Sequence, residues 1–257
     1  MYTHPCTDEY LHSIDTETMA KLRSILKEWV SFSIYSMRYA VKFLFFPFKT
    51  TQEVFSEIYQ KNVWGSRESA SGSGSEKARS RVVAQRLPDV IRNLGVRSFL
   101  DVPCGDFNWM RHVDLAVERY IGADIVDAMV SANSQRYAGP RREFVRLDVI
   151  CDPLPLVDLI FCRDCLVHLS LKDAMAVIAN FKRSRSTYVM LTTFTNCKRN
   201  FDMITGGWRA LNLQRPPFNF PAPIELINEQ FDVWLTSVRG KSMGIWRLSD
   251  LDTGAAD

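Results

Sequence analysis

The chain has 257 residues, of which 46% are hydrophobic and 24% charged, and its formal net charge is +3. This composition excludes a disordered chain, a collagen-like fibre and a disulfide-stapled miniprotein. The length suits one α/β domain with an appendage, or two small domains. The net charge is small and no basic-aromatic recognition module stands out, so a nucleic-acid partner is not expected.

The N-terminal region predicts a helix rather than a targeting or membrane-spanning segment. The first residues lack the basic and apolar regions of a secretory signal, so a cytoplasmic location is expected. The apolar stretch 29–48 is interrupted by Arg38 and Lys42, which argues against a transmembrane span. Residues 20–48 predict a helix with a basic stripe, typical of a helix at the inner face of a membrane, on a second subunit or on its own domain.

A run of small residues follows this helix. Residues 65–75 contain mainly Gly, Ser and Ala, a composition typical of a flexible linker or of a loop that approaches a ligand closely. Aromatic neighbours such as Trp64 are unusual beside a linker and favour a ligand-covering loop. Residues 1–80 are therefore predicted to form an N-terminal helical extension that ends in this covering loop.

From residue 82 the chain alternates between predicted helices and strands. Helices are predicted over residues 82–94, 106–113, 126–137 and 171–181. Strands are predicted over residues 98–102, 120–125, 144–149, 157–162 and 187–193. Strict alternation of this kind predicts a parallel sheet with right-handed crossovers.

The alternation stops after Phe194. Residues 195–230 are rich in aromatic residues, Asn and Pro without clear periodicity, which is typical of a functional lid. The last two strands are predicted over residues 231–238 and 243–248 as a hairpin. The predicted sheet domain therefore spans residues 81–257 and contains a lid insertion at about 195–230.

Acidic residues follow the first three predicted strands. Asp101 and Gly105 lie where the first strand turns, at the edge of a parallel sheet that presents backbone N–H groups to a ligand. Asp124 ends the second strand 19 residues beyond Gly105, close to the interval typical of a carboxylate that binds ribose hydroxyls. Asp148 ends the third strand. The three acids predict a nucleoside-binding site.

These residues resemble the class I S-adenosylmethionine-dependent methyltransferases. The resemblance implies an α/β, Rossmann-like seven-stranded sheet with an antiparallel last strand and S-adenosylmethionine as the cofactor. It implies that Asp124 binds the ribose and that Asp148 reads the adenine amino group. Pro103 and Phe107 stand where the family usually has glycines. Segments 59–66 and 106–110 resemble a little-characterised bacterial branch of the superfamily, which implies no particular substrate.

The resemblance also implies the positions of the other site residues. The expected cofactor-binding residues are Asp101, Pro103, Gly105, Asp106, Trp109, Asp124, Ile125, Asp148, Val149, Arg163, Trp64 and Gly72. Asp164 and His168, after the fourth strand, are the expected catalytic residues. His168 titrates near neutral pH when unperturbed, so it is a candidate base for a hydroxyl or amine acceptor, although it is as readily a packed core histidine.

The Cys162-Arg-Asp-Cys165 motif invites a zinc or redox interpretation. A single CxxC without a second pair is weak support, and cysteines on a buried strand behave as small hydrophobic residues, so no metal is expected.

The lid carries the expected acceptor-binding residues. Trp208, Arg209 and Asn212 combine an aromatic platform with hydrogen-bond donors, which suits a polar small molecule or a glycan. A solvated basic face is the alternative. Two other functions remain open at this stage, a nicotinamide-dependent oxidoreductase and a non-catalytic methyltransferase-like binding protein.

Overall fold

The computed structural model describes residues 49–230 and 240–251. The predicted helix over residues 20–48 and the predicted strand over residues 231–238 lie outside the described residues. The described strands are β1 (Ser98–Asp101), β2 (Arg119–Asp124), β3 (Arg142–Arg146), β4 (Leu159–Cys162), β5 (Tyr188–Phe194), β6 (Glu225–Asn228) and β7 (Lys241–Arg247).

These strands form one sheet in the order β3-β2-β1-β4-β5-β7-β6. Strands β1 to β5 pair in parallel, and β7 lies antiparallel between β5 and β6. The predicted Rossmann-like seven-stranded sheet with an antiparallel last strand is therefore confirmed.

The described helices are α1 (Thr51–Gln60), α2 (Lys77–Leu94), α3 (Asp127–Tyr137) and α4 (Leu171–Arg183). Their ends follow local capping rules. The α1 N-terminus has a capping box between Thr50 and Glu53, and the Ser170 side chain accepts a hydrogen bond from the Asp173 amide at the start of α4. Helix α2 ends at Gly95, which adopts a left-handed conformation with φ of 65°, as the sequence predicts.

Helices cover both faces of the sheet. Side chains alternate along β1, so that Phe99 packs with residues of α2 while Leu100 packs with residues of α4. Helix α3 contacts β2 and β3. Because helices cover both faces, the carboxyl edge of the parallel strands is the part of the sheet where a ligand is expected.

The predicted helix over residues 106–113 is wrong. This segment holds only a 3-10 turn at Met110–His112. Gly105 and Phe107 adopt left-handed φ angles of 57° and 58°, which interrupt a right-handed helix at its first turn. The Asp106 side chain accepts most of its hydrogen bonds from the covering loop.

The predicted lid over residues 195–230 ends in a strand that the sequence did not reveal. Strand β6 has only four residues, of which Ile227 is buried while Leu226 is exposed, so its alternation is too short to recognise. Helix α2 runs across the predicted boundary at residue 80, and that boundary stays a prediction. Within the described ranges no helix is long and apolar enough to span a membrane.

Candidate active site

The turn after β1 is hydrogen-bonded to the end of β2. The Gly105 amide donates to Asp124 Oδ2 at 3.1 Å, and the Val126 amide donates to Asp124 Oδ1 at 3.0 Å. On the other side of the turn, Asn133 Nδ2 donates to the Gly105 carbonyl at 2.7 Å. Pro103 lies in the same turn and is partly buried. The turn and the end of β2 therefore form one unit, which brings together three of the predicted cofactor-binding residues, Pro103, Gly105 and Asp124.

Asp101 and Asp124 are buried carboxyl groups at the ends of adjacent strands. Tyr120 donates its hydroxyl hydrogen to Asp101 Oδ2 at 2.5 Å. Burial raises the pKa of Asp101 to about 7, although the Tyr120 hydrogen bond acts in the opposite direction. Burial likewise raises the pKa of Asp124 to about 6, against the effect of its backbone donors. Both groups consequently titrate near neutral pH.

The β2–β3 side of the edge holds three further predicted residues. Asp148 follows the last residue of β3 by two positions, and its Oδ1 accepts the Ile150 amide at 2.9 Å. Val149 is buried, and Ile125 is half-buried directly after β2. These residues are placed along the edge in the order in which the resemblance expects ribose and adenine contacts.

The covering loop is attached to the turn after β1 through Asp106. Ser69 Oγ donates to Asp106 Oδ1 at 3.0 Å, and the Ala70 amide donates to Asp106 Oδ2 at 2.8 Å. The Asp106 amide in turn donates to Ser71 Oγ at 2.9 Å. The small-residue run therefore lies on the sheet edge and is not a free linker.

Close approach explains why glycines occupy this contact. A Cβ atom on Gly105 would lie 2.3 Å from Ser71 Oγ, and a Cβ on Gly72 would lie 3.0 Å from Trp64 Cβ. The Trp64 ring in turn lies 4.9 Å from the His168 ring, measured between centroids. The covering loop thus reaches from the β1 turn to the predicted catalytic histidine.

A cluster of four charged side chains occupies the edge after β4; we call Arg163, Asp164, Glu229 and Lys241 the charge cluster. Lys241 Nζ lies 2.6 Å from Asp164 Oδ2, and Arg163 Nη2 lies 2.5 Å from Glu229 Oε2. Arg163 Nη1 also donates to the Gly74 carbonyl in the covering loop at 2.8 Å. Burial alone would raise the pKa of Asp164, but Lys241 and Arg163 outweigh it and hold that pKa below its usual range, so the group is ionised.

His168 is held by the lid. Its Nδ1 lies 2.6 Å from the Gly207 carbonyl oxygen, which can only accept, so Nδ1 carries the hydrogen and Nε2 has the lone pair. Burial lowers the pKa of His168, although Gly207 and Asp164 act in the opposite direction. The imidazole is mostly neutral at pH 7, which is the form that accepts a proton.

The three predicted acceptor-binding residues differ in their surroundings. Trp208 is 45% exposed and its ring meets Phe194 edge-on at 5.9 Å. Arg209 Nε donates to the Phe201 carbonyl at 2.7 Å, and burial lowers the pKa of Arg209 to about 10. Asn212 is buried and donates to the Cys197 carbonyl at 3.0 Å. Of the three, Trp208 therefore offers the most accessible surface, while Arg209 and Asn212 bind lid backbone.

Two further sequence predictions concern buried side chains: Arg163 and Trp109 as cofactor-binding residues, and the Cys162–Cys165 motif as a site without a metal. The guanidinium carbon of Arg163 lies 5.6 Å from the centre of the Trp109 ring, which also packs near Phe161. Cys162 and Cys165 are free and buried. Among the described residues no group of three His, Cys, Asp or Glu side chains is arranged to hold a metal ion.

Sequence reasoning missed several residues that build this edge. Glu229 lay within the predicted lid and Lys241 within a predicted turn, while Ser71 and Thr192 carried no motif. The signal that could have revealed one of them is Lys241 itself, because a lysine at the start of a buried strand is rarely placed there without a partner.

The residues at this edge fit S-adenosylmethionine. The Asp124 carboxylate accepts the Gly105 and Val126 amides, with Ile125 as a further backbone donor, and its two oxygens together offer about four lone-pair sites, so acceptor capacity remains for a ribose hydroxyl. The Gly105 amide lies in the turn after β1, which is where a nucleoside site is expected in a sheet of this kind.

Comparison with known proteins gives one family match and several similar solved structures. Residues 99–185 match the family model described as a methyltransferase domain. No curated protein matches the chain. Similar solved structures include the methyltransferase domain of bacterial CtHen1, with 12% identity, a TM-score of 0.49, and 66% of this chain and 99% of that chain covered.

Two further solved structures are similar to this chain. The N-methyltransferase NodS from Bradyrhizobium japonicum WM9 has 13% identity and a TM-score of 0.48, over 68% of this chain and 98% of that chain. The magnesium protoporphyrin IX methyltransferase ChlM from Synechocystis PCC 6803 has 16% identity and a TM-score of 0.43, over 61% of this chain and 81% of that chain. On the family match, the chain carries a methyltransferase domain over residues 99–185.

Proposed function

We propose that the enzyme transfers the methyl group of S-adenosylmethionine to a polar small-molecule or glycan-type acceptor at the carboxyl edge of its sheet. In this proposal Asp124 binds the ribose, Asp148 and Ile125 bind the adenine, and the covering loop closes over the cofactor. The observation that carries the proposal is the bond from the Gly105 amide to the Asp124 carboxylate, which joins the glycine turn to the ribose-binding acid.

S-adenosylmethionine supplies an electrophilic methyl group on a positively charged sulfur. The protein must hold the acceptor in line with that group and take up a proton from the acceptor. His168 is our candidate for the proton acceptor, because its Nδ1 faces the Gly207 carbonyl and its Nε2 retains the lone pair. Trp208 is our candidate platform for a sugar ring, since it is an exposed aromatic residue of the lid whose indole N–H can also donate a hydrogen bond.

Calorimetry tests the cofactor part of the proposal. Replacing Asp124 by Ala should weaken S-adenosylmethionine binding at least about tenfold, because the ribose hydroxyls lose a charged acceptor. Asp89→Ala, which removes an exposed carboxylate on α2, is the matched control and should leave the affinity unchanged. Wild-type affinity in Asp124→Ala would contradict the site.

Isotope labelling tests the acceptor part. Cell extracts incubated with the enzyme and a methyl-labelled donor should yield a labelled polar product that mass spectrometry identifies. The His168→Ala variant should not form this product but should bind S-adenosylmethionine with unchanged affinity. Unchanged product formation in this variant would exclude His168 as the base, and a labelled protein or nucleic acid would contradict the acceptor class.

A further inference from the structure

The charge cluster has features that the proposed function does not explain. Three of its four side chains are almost inaccessible, with exposed fractions of 4% for Arg163, 5% for Lys241 and 0% for Glu229. Asp164 is 22% exposed. Burying charged side chains is costly even when they are paired. Here both cations, Lys241 and Arg163, lie beside the partly accessible Asp164 carboxylate.

Three neighbouring strands fix that carboxylate. Asp164 follows β4 with a left-handed φ of 55°, which is uncommon for a residue with a side chain and concentrates at functional sites. Its amide donates to Thr192 Oγ1 of β5 at 2.8 Å, and Lys241 of β7 donates to Oδ2 at 2.6 Å. The backbone and one oxygen are thereby held from both sides.

The far end of the cluster holds Lys241 and Arg163 in place. Glu229 Oε2 lies 2.5 Å from Arg163 Nη2 and 3.5 Å from Lys241 Nζ. Glu229 Oε1 and Arg163 Nε are buried without a hydrogen-bond partner within the described residues. Leaving such atoms unpaired is unfavourable, so an ordinary structural salt bridge accounts poorly for this geometry.

The cluster as a whole carries no net charge. Two cations, Arg163 and Lys241, balance two carboxylates, so the cluster does not select a ligand by net charge. Its accessible part is the ionised Asp164 carboxylate, whose Oδ1 lies 3.4 Å from Thr192 Oγ1 and can accept a shorter bond from another donor. Asp164 raises the pKa of His168, and His168 lowers that of Asp164, so the two groups influence each other's charge.

We propose that Asp164 faces the transferred methyl group and receives a hydrogen bond from one N–H of an amine acceptor, with Lys241 and Glu229 as positioning residues. This inference rests on the proposed function and narrows it, because it excludes an acceptor that reacts at a carbon atom or through a hydroxyl group. The lone pair of the neutral amine forms the bond to the methyl carbon as the carbon–sulfur bond breaks with its electron pair going to sulfur. One N–H stays hydrogen-bonded to Asp164, and the proton of the other passes to His168.

A pair of donor analogues tests this proposal without knowledge of the acceptor. S-adenosylhomocysteine lacks the methyl group, whereas sinefungin carries a protonated amine along the direction of that group. Both share the remaining contacts, so the ratio of their dissociation constants isolates the methyl position. In the wild-type protein sinefungin should bind at least about tenfold more tightly, because an ammonium group bonds strongly to a carboxylate.

Asp164→Asn should lower this preference to near one while S-adenosylhomocysteine binds as before, and Asp250→Asn, which changes an exposed carboxylate, should leave it intact. Equal binding of the two analogues by the wild-type protein would overturn the inference even if Asp164→Asn does not fold. If the wild-type protein binds neither analogue, the proposed function itself fails, which is a different result.

The role of Lys241 has a readout in pH. The groups that face Asp164 are Arg163, Lys241 and His168, with Glu229 behind them. In the wild-type protein Asp164 remains ionised between pH 5 and 8, so variants and wild type can be compared at both ends. In Lys241→Met, one of the two cations that oppose the effect of burial is lost, so the pKa of Asp164 rises. The sinefungin preference should then be present at pH 8 and shrink relative to wild type at pH 5; the same ratio at both values would exclude this role.

Discussion

The edge of the sheet has two halves that treat buried carboxyl groups in opposite ways. In the half proposed to bind the methyl donor, which we call the donor half, at the ends of β1 and β2, burial raises the pKa values of Asp101 and Asp124 to about 7 and about 6. In the half proposed to bind the acceptor, which we call the acceptor half, after β4, Lys241 and Arg163 hold the pKa of Asp164 below its usual range despite burial. The comparison teaches that neighbouring cations can keep a partly buried carboxyl group ionised.

The two halves also differ in how the chain builds them. The bond between Gly105 and Asp124 joins the turn after β1 to the end of β2, 19 residues later, whereas Lys241 and Asp164 are 77 residues apart. The donor half thus depends on two consecutive strands and the segment that connects them. The acceptor half depends on the correct pairing of β7 with β5, two strands in the C-terminal part of the chain that are separated by the lid.

The largest expected effect concerns the pH dependence of stability in the donor half. The pKa of Asp101 is about 7 in the folded protein and near 3.8 when unfolded, so the folded state binds more protons between these values. The titration of Asp101 should therefore lower the free energy of unfolding by about 4 kcal/mol as the pH rises from 4 to 7. Asp101→Asn should flatten that fall in urea unfolding measured at several pH values. An equally steep fall in the variant would place the titrating group elsewhere.

The next effect breaks the contact between the glycine turn and the covering loop. Gly105→Ala places a Cβ 2.3 Å from Ser71 Oγ on a residue with a φ of 57°. Strain and overlap together should cost about 2–4 kcal/mol of stability and weaken donor binding. Thermal unfolding and calorimetry measure the two effects.

Two other glycines separate strain from overlap. Gly95 has a φ of 65° but no atom within 4 Å of an added Cβ, so Gly95→Ala should show strain alone. Gly139 has neither feature, and Gly139→Ala should be nearly neutral. If Gly105→Ala costs no more than Gly95→Ala, the covering loop does not press on the turn.

A smaller effect is expected from Asp106, which attaches the covering loop to the donor half. In Asp106→Asn the side chain keeps only one oxygen, so it cannot accept hydrogen bonds from both the Ser69 hydroxyl and the Ala70 amide with the same geometry. A loss of about 1–2 kcal/mol is expected, together with weaker donor binding. Urea unfolding with Asp89→Asn as the control checks this value. Unchanged stability would mean that the loop is held by its other contacts.

The donor half could be predicted from the sequence because its signals are local. Gly105 and Asp124 lie after consecutive strands, 19 residues apart, and the structure joins them by a hydrogen bond. The left-handed Phe107 could not be foreseen, because its conformation depends on packing against Tyr120 and Phe144 from later strands.

The acceptor half could be predicted only in part. Asp164 and His168 follow β4 directly, so their place at the edge follows from the strand order. Lys241 reaches Asp164, and Glu229 reaches Lys241, only through the pairing of β6, β7 and β5. Strand β6 is too short to show a period, so its contribution was assigned to the lid.

The smallest expected effect concerns the surface contact between helix α2, which precedes the donor half, and strand β6 of the acceptor half. Arg86 Nη2 lies 2.7 Å from Glu225 Oε1, but the Arg86 side chain is 53% exposed. Exposed pairs of this kind contribute about 0–1 kcal/mol and weaken with salt. Arg86→Ala should therefore change the unfolding free energy by less than about 1 kcal/mol. A larger, salt-sensitive loss would show that this pair, rather than the hydrogen-bonded sheet, holds α2 against β6, and the two halves would then be joined at the surface as well as through the strands.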